Sequence, residues 1–130
     1  MADRLTVTLT GRPPVNVVKA EWPILASGET SDHDGGEHES EANRKTRWRL
    51  LVRQHADGRC IVYGIHTHET AWQHERGRTV RGGLLTEVGG ADIIVAAIQQ
   101  TAADMEERVG DGVFARLAHE CIGDLPAVEL

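Results

Sequence analysis

Aromatic residues are scarce, at 4% of the 130 residues: Trp22, Trp48, Trp72, Tyr63 and Phe114. The core must therefore be built mainly from Val, Ile, Leu and Ala, and few rings are left over to stack on the bases of a single strand. Cysteine is confined to Cys60 and Cys121, which excludes a disulfide framework and fits a reducing compartment. No apolar run approaches the ~18 residues of a membrane span. The start, Met1-Ala2-Asp3-Arg4, lacks the apolar stretch of a secretion signal, so a cytoplasmic protein without membrane contact is expected. Lysine stands only at positions 19 and 45 while arginine, alanine and glycine are abundant, a bias often found in GC-rich bacterial genomes.

The nucleophile elbow Gly-x-Ser-x-Gly is absent from the sequence, as are a phosphate-binding Gly-rich loop ending in Lys-Ser or Lys-Thr and a dinucleotide fingerprint. Gly82-Gly83 and Gly89-Gly90 have the wrong spacing and read as a strand irregularity and a helix entry. Cys60 falls on a strand and Cys121 on the apolar stripe of a helix, places where thiols pack rather than react. Asp104, Glu106 and Glu107 read as the solvent side of their helix.

A chain of this length forms one domain and buries roughly two-thirds of its unfolded surface without a metal or disulfide. Its net charge of −6 is unevenly spread. Residues 29–41 hold six acids and no Lys or Arg, residues 44–81 hold nine bases and three acids, and residues 87–130 hold two bases and nine acids. A basic middle between acidic blocks suits either a polyanionic partner or pairing within the chain.

Leu5-Thr6-Val7-Thr8-Leu9-Thr10 alternates strictly and predicts a strand that Gly11-Arg12-Pro13-Pro14 ends. Further extended segments are expected at Val15–Lys19 and after Pro23. Residues 28–42 contain nothing suited to a core and predict a mobile acidic loop. Asp57-Gly58 predicts a hairpin between 47–54 and 59–67. A two- or four-residue loop would place Trp48, Leu50 and Val52 on one face with Ile61, Tyr63 and Ile65. A three-residue loop would place them with Cys60, Val62 and Gly64, a poorer core, so the first register is expected.

Thr70-Ala71-Trp72-Gln73 fits a capping box and a short helical turn. Arg76-Gly77-Arg78 reads as loop and Thr79–Glu87 as a last strand. Two helices follow: Asp92–Val109, stopped by Gly110, and one capped by Asp111 and ended by Gly123. Strands first and helices last predict an α+β domain over 1–130, with a mainly antiparallel four- or five-stranded sheet and two C-terminal helices on one face.

With Trp48, Leu50 and Val52 inward, the open face would carry Arg47, Arg49 and Arg53, with His66 beside Arg47 and His68 one pair further out. Arg76, Arg78 and Arg81 would follow in the next loop and strand. Clustered guanidiniums attract phosphate through bidentate donors. The leading expectation is thus a non-enzymatic binding or accessory protein whose basic sheet face meets a protein or nucleic acid. The bland alternative is a face that arginine and histidine merely solvate.

A reading from another class is a small zinc-dependent hydrolase. His66 and His68 share a strand face, and the third ligand comes from His74, Glu69 or Glu75. In the acidic loop, His33, Asp34 and His38 form a looser set, and the clustered carboxylates either mimic phosphates or shield the chain's own basic face. An uncharged edge at Leu5–Thr10 would also permit a homodimer.

Overall fold

The computed structural model describes residues 3–9, 12–35, 43–70, 75–85, 90–110 and 112–126, and of 32–35, 43–45, 68–70 and 75–78 the backbone. The alternating segment forms β1 (Arg4–Leu9), and the chain returns as β2 (Val15–Val18). One 3-10 turn, Lys19–Glu21, leads into four long strands: β3 (Ile24–Gly35), β4 (Asn43–Gln54), β5 (Cys60–Thr70) and β6 (Glu75–Leu85). Helices α1 (Ala91–Val109) and α2 (Phe114–Gly123) close the fold. The class is α+β with two C-terminal helices, as expected, but the sheet has six strands rather than four or five, in the order β2-β1-β6-β5-β4-β3. Every neighbouring pair is antiparallel except β1 with β6.

All six strands include segments expected to be extended, but β3 and β6 also take in segments whose polarity suggested loops. Gly28–Gly35, expected as acidic loop, belong to β3 and pair residue for residue with β4; positions 36–42 lie outside the described residues. Arg76-Gly77-Arg78, also expected as loop, pair with β5 as part of β6. Thr70 of the expected capping box is the last residue of β5, and 71–73 lie outside the described residues. A ladder satisfies backbone groups whatever the side chains, so polar sequence does not by itself exclude a strand.

The hairpin takes the other register, the one whose core looks poorer in sequence. Gln54 pairs with Cys60, and the turn is closed by Gly58 N–H to the His55 carbonyl (2.9 Å) and His55 N–H to the Arg59 carbonyl (2.9 Å). Gly58 adopts φ +96°, which only glycine accommodates cheaply. Trp48, Leu50 and Val52 therefore share their face with Cys60, Val62 and Gly64, and this face packs under α1 and α2. Gly64 is no defect there, because Met105 of α1 fills its place: a Cβ on Gly64 would lie 2.5 Å from Met105 Cγ.

The opposite face is covered too. Leu51, Ile61, Tyr63 and Ile65 pack in one buried cluster with Leu5, Val7 and Leu9 of β1, Val17 of β2, and Trp22. The sheet curls so that the β1–β2 pair lies over the side away from the helices. Because β1 is flanked by β2 and β6, it is not the uncharged edge that dimerisation was expected to use; the edges are β2 and β3. At the β3 edge, Asp124 beyond α2 accepts the outward Ser27 N–H (3.0 Å), blunting the start of that edge.

Gly110 ends α1 as expected, at φ +71°. The N-cap of α2 is Val113, whose side chain makes no capping bond, and the expected Asp111 lies outside the described residues. Glu106 accepts from the N–H of Gly112 and of Phe114 (3.1 Å), stabilising the helix's first turn. Asp104, expected on the solvent side with it, instead pairs with Arg81 (3.1 Å) and Arg108 (3.5 Å).

Candidate functional site

The register extends β3–β6 well past the packed core. The last row with a buried apolar residue under the helices is Thr30–Trp48–His66–Thr79. Beyond it come the rows Ser31–Arg47–Thr67–Arg78, Asp32–Thr46–His68–Gly77, His33–Lys45–Glu69–Arg76 and Asp34–Arg44–Thr70–Glu75. Rows two apart belong to the same face of a pleated sheet. The rows in phase with Arg47 hold Lys45, Arg47, Arg49, Arg76 and Arg78 against Glu29 and Glu69. The intervening outer rows hold Arg44 against Asp32, Asp34 and Glu75. Basic residues thus concentrate in one phase of the ladder.

The residues expected to form one site are divided by this register. Arg47 lies opposite Thr67, not beside His66. Arg47 and Arg49 stand on the side away from the helices and converge on Glu29 of β3: Arg47 bonds its Oε1, and Arg49 Nε lies 3.5 Å from Oε2. His66 belongs to the helix side, its ring centroid 5.9 Å from that of Trp48. Arg81, opposite Gly64, is on the helix side as well, held by Asp104.

Arg53 is inside. It is 9% exposed, and it donates from Nε to the Tyr63 hydroxyl (2.7 Å) and from Nη1 to the Trp22 carbonyl (3.0 Å). These bonds lock the start of β3 to the hairpin and leave the guanidinium unable to meet a partner. Of His68 and Arg78 the structure gives only the ladder positions, opposite Thr46 and opposite Thr67.

For the zinc reading, His74 lies outside the described residues. Among the described residues no three His, Cys, Asp or Glu side chains are grouped to hold a metal ion. Both thiols are buried. Burial raises the Cys60 thiol above its ordinary value, and burial together with the Asp124 charge pushes Cys121 up to about 12. Neither supplies a thiolate at neutral pH.

Alkylation with iodoacetamide at pH 8 is therefore expected to leave both thiols intact in the folded protein and to modify both in denaturant, as read by mass spectrometry. Modification of folded Cys121 would contradict its burial. An unfolded thiol ionises near 9.0, so between there and about 12 the unfolded chain releases a proton that folded Cys121 keeps. Stability should fall as pH rises through that window.

A cleft of about 410 Å³ opens between β6 and α1, lined in part by Arg12, Gly82, Gly83, Thr101 and Asp104. Its carboxylate is already committed to Arg81 and Arg108. At the β4–β5 turn, Asp57 accepts from Arg59 N–H (3.0 Å) and Nε (2.7 Å), which holds its carboxyl below the usual range. Arg59 lies over the Trp22 ring at 5.2 Å. This group secures the turn against the core.

Glu29 meeting Arg47 and Arg49 agrees with the expectation that acidic residues of 28–42 shield the basic face, but the sequence reading did not single out Glu29 or place it on a strand. Glu29 opens the acidic run assigned to a loop, and nothing in its periodicity marks it as a strand neighbour of β4. No family model matches the sequence, and no curated protein or solved structure is significantly similar to it. No helix among the described residues is long and apolar enough to cross a membrane.

Proposed function

We propose that this chain is a non-enzymatic binding module that holds a polyanion, in the first instance nucleic acid, on the outer part of the β3–β6 sheet around Arg47 and Arg49. The observation that carries the reading is the four-row extension of these strands beyond the core, with basic residues gathered in one phase of its ladder. The four rows hold no apolar side chain, so hydrophobic burial does not account for the length of the strands. Guanidiniums on a regular strand repeat suit a phosphodiester backbone, and the scarcity of rings favours a contact indifferent to sequence. Buried, neutral thiols agree with a role in binding rather than nucleophilic catalysis.

The test is fluorescence anisotropy of labelled random-sequence DNA and RNA at low and moderate salt, with and without chelator. Binding should weaken as salt rises and be indifferent to chelator. Arg47→Ala with Arg49→Ala should lower the slope of log K against log salt by about 2, roughly one for each guanidinium withdrawn from a phosphate. No binding at low salt would remove the nucleic-acid reading and leave the face to a protein partner.

A further inference from the structure

Arg47 and Arg49 are two positions apart on β4, and both reach toward the same carboxylate on the neighbouring strand. Glu29 meets Arg47 at Oε1 and faces Arg49 Nε at Oε2. Two guanidiniums aimed at one point form an anion site, and here the anion comes from the chain itself. The occupancy is incomplete: Arg49 Nε is shielded from water, yet at 3.5 Å from the carboxylate it makes no hydrogen bond. A shielded donor without an acceptor is a cost that a better-placed oxygen would remove.

We propose that Arg47 and Arg49 form a phosphate clamp whose resting occupant is Glu29, so that a nucleic-acid phosphate binds by displacing this carboxylate. The inference rests on the binding function proposed above and adds the atoms of the site and their internal competitor. A backbone phosphate likewise presents two anionic oxygens, but unlike the Glu29 carboxylate it is not tethered to β3 and can settle where it satisfies Arg47 while also reaching Arg49 Nε. Displacement is feasible because the pair is half in water: the side chains of Glu29, Arg47 and Arg49 are 40%, 48% and 27% exposed, a setting in which ion pairs are weak and screened by salt. On displacement the carboxylate needs only to rotate toward solvent at the β3 edge. Its charge then lies beside the incoming phosphate and opposes it, so Glu29 both fills the site and weakens it for its ligand.

The decisive variant is Glu29→Gln, which keeps size and strand position and removes the charge. Glu21→Gln serves as control, because Glu21 is exposed on the 3-10 turn and its loss changes net charge equally. With a labelled random-sequence DNA at low salt, Glu29→Gln should bind about threefold to tenfold more tightly than the parent protein. Glu21→Gln should differ by less than about 1.5-fold, and the gain should vanish when Arg47→Ala and Arg49→Ala are added. Binding by the parent with no gain in Glu29→Gln, or with an equal gain in Glu21→Gln, would overturn the clamp while leaving the binding function standing. No binding by any of the proteins would overturn both. Matched thermal unfolding of the parent and Glu29→Gln confirms that the comparison is between folded proteins.

Discussion

Replacing Gly82 by alanine is expected to destabilise the protein by about 3 kcal/mol or more, and replacing its neighbour Gly83 to change stability by less than about 1 kcal/mol. A Cβ on Gly82 would stand 2.0 Å from the Val62 carbonyl oxygen and 2.7 Å from Tyr63 Cα. The obstacles are mostly backbone of the adjacent strand, so no side-chain rotation relieves them. β6 would have to lift from β5 at the point where it also pairs with Leu9 of β1, the sheet's only parallel junction among the described residues. Nothing lies within 4 Å of a Cβ on Gly83, and its backbone is not left-handed. Alanine there only reduces the freedom of the unfolded chain. Thermal or denaturant unfolding of the two variants by circular dichroism decides the matter, with a fall in Tm of about 10 °C or more expected for Gly82→Ala. Equal stabilities would mean that β6 does not lie this close to β5 at Gly82.

The second large effect is expected at Arg53. Arg53→Ala removes a buried side chain and strips the Tyr63 hydroxyl and the Trp22 carbonyl of their shared donor, at a cost of about 3 kcal/mol. Tyr63→Phe leaves Arg53 Nε without an acceptor and should cost about 1.5–3 kcal/mol. The double variant Arg53→Met with Tyr63→Phe should cost less than the sum of its two singles, because an apolar pair leaves no unsatisfied group between the two positions. Urea unfolding of the four proteins gives the cycle, and strict additivity would show that the 2.7 Å bond contributes nothing. The same variants separate structure from binding. Arg53, grouped by sequence with Arg47 and Arg49, should affect nucleic-acid affinity only as far as it affects folding.

Arg53 also shows why a strand pattern can mislead. Arg47, Arg49, Leu51 and Arg53 share one face of β4, as period-two alternation requires. Alternation does not say what covers that face. The two inner positions lie beneath β1, β2 and Trp22, while the two outer ones extend past that cover. The hairpin register escapes the pattern for a related reason. In Cys60-Ile61-Val62-Tyr63-Gly64-Ile65 both phases are largely apolar because both faces are buried, and such a run cannot choose between registers. The choice is made by the turn, where Gly58 with its left-handed φ permits the odd loop, and by Met105, which makes Gly64 a well-packed core position.

Local chemistry in the sequence determined the elements whose signals are self-contained. The strict alternation of Leu5–Leu9, the apolar stripe and glycine stop of α1, the compact stripe of α2 and the order of strands before helices all read correctly, because each depends on neighbours within a few residues. The tertiary structure alone decided the rest. Polar segments at 28–35 and 76–78 became strands because a partner strand lay alongside to complete their backbone hydrogen bonds. Glu29 met Arg47 and Arg49 because β3 and β4 run antiparallel in a register that no local pattern encodes. Arginines alike in sequence became core bracket (Arg53), helix tether (Arg81) and partners of Glu29 (Arg47 and Arg49) according to what folded over them, since burial and pairing are properties of the assembled sheet.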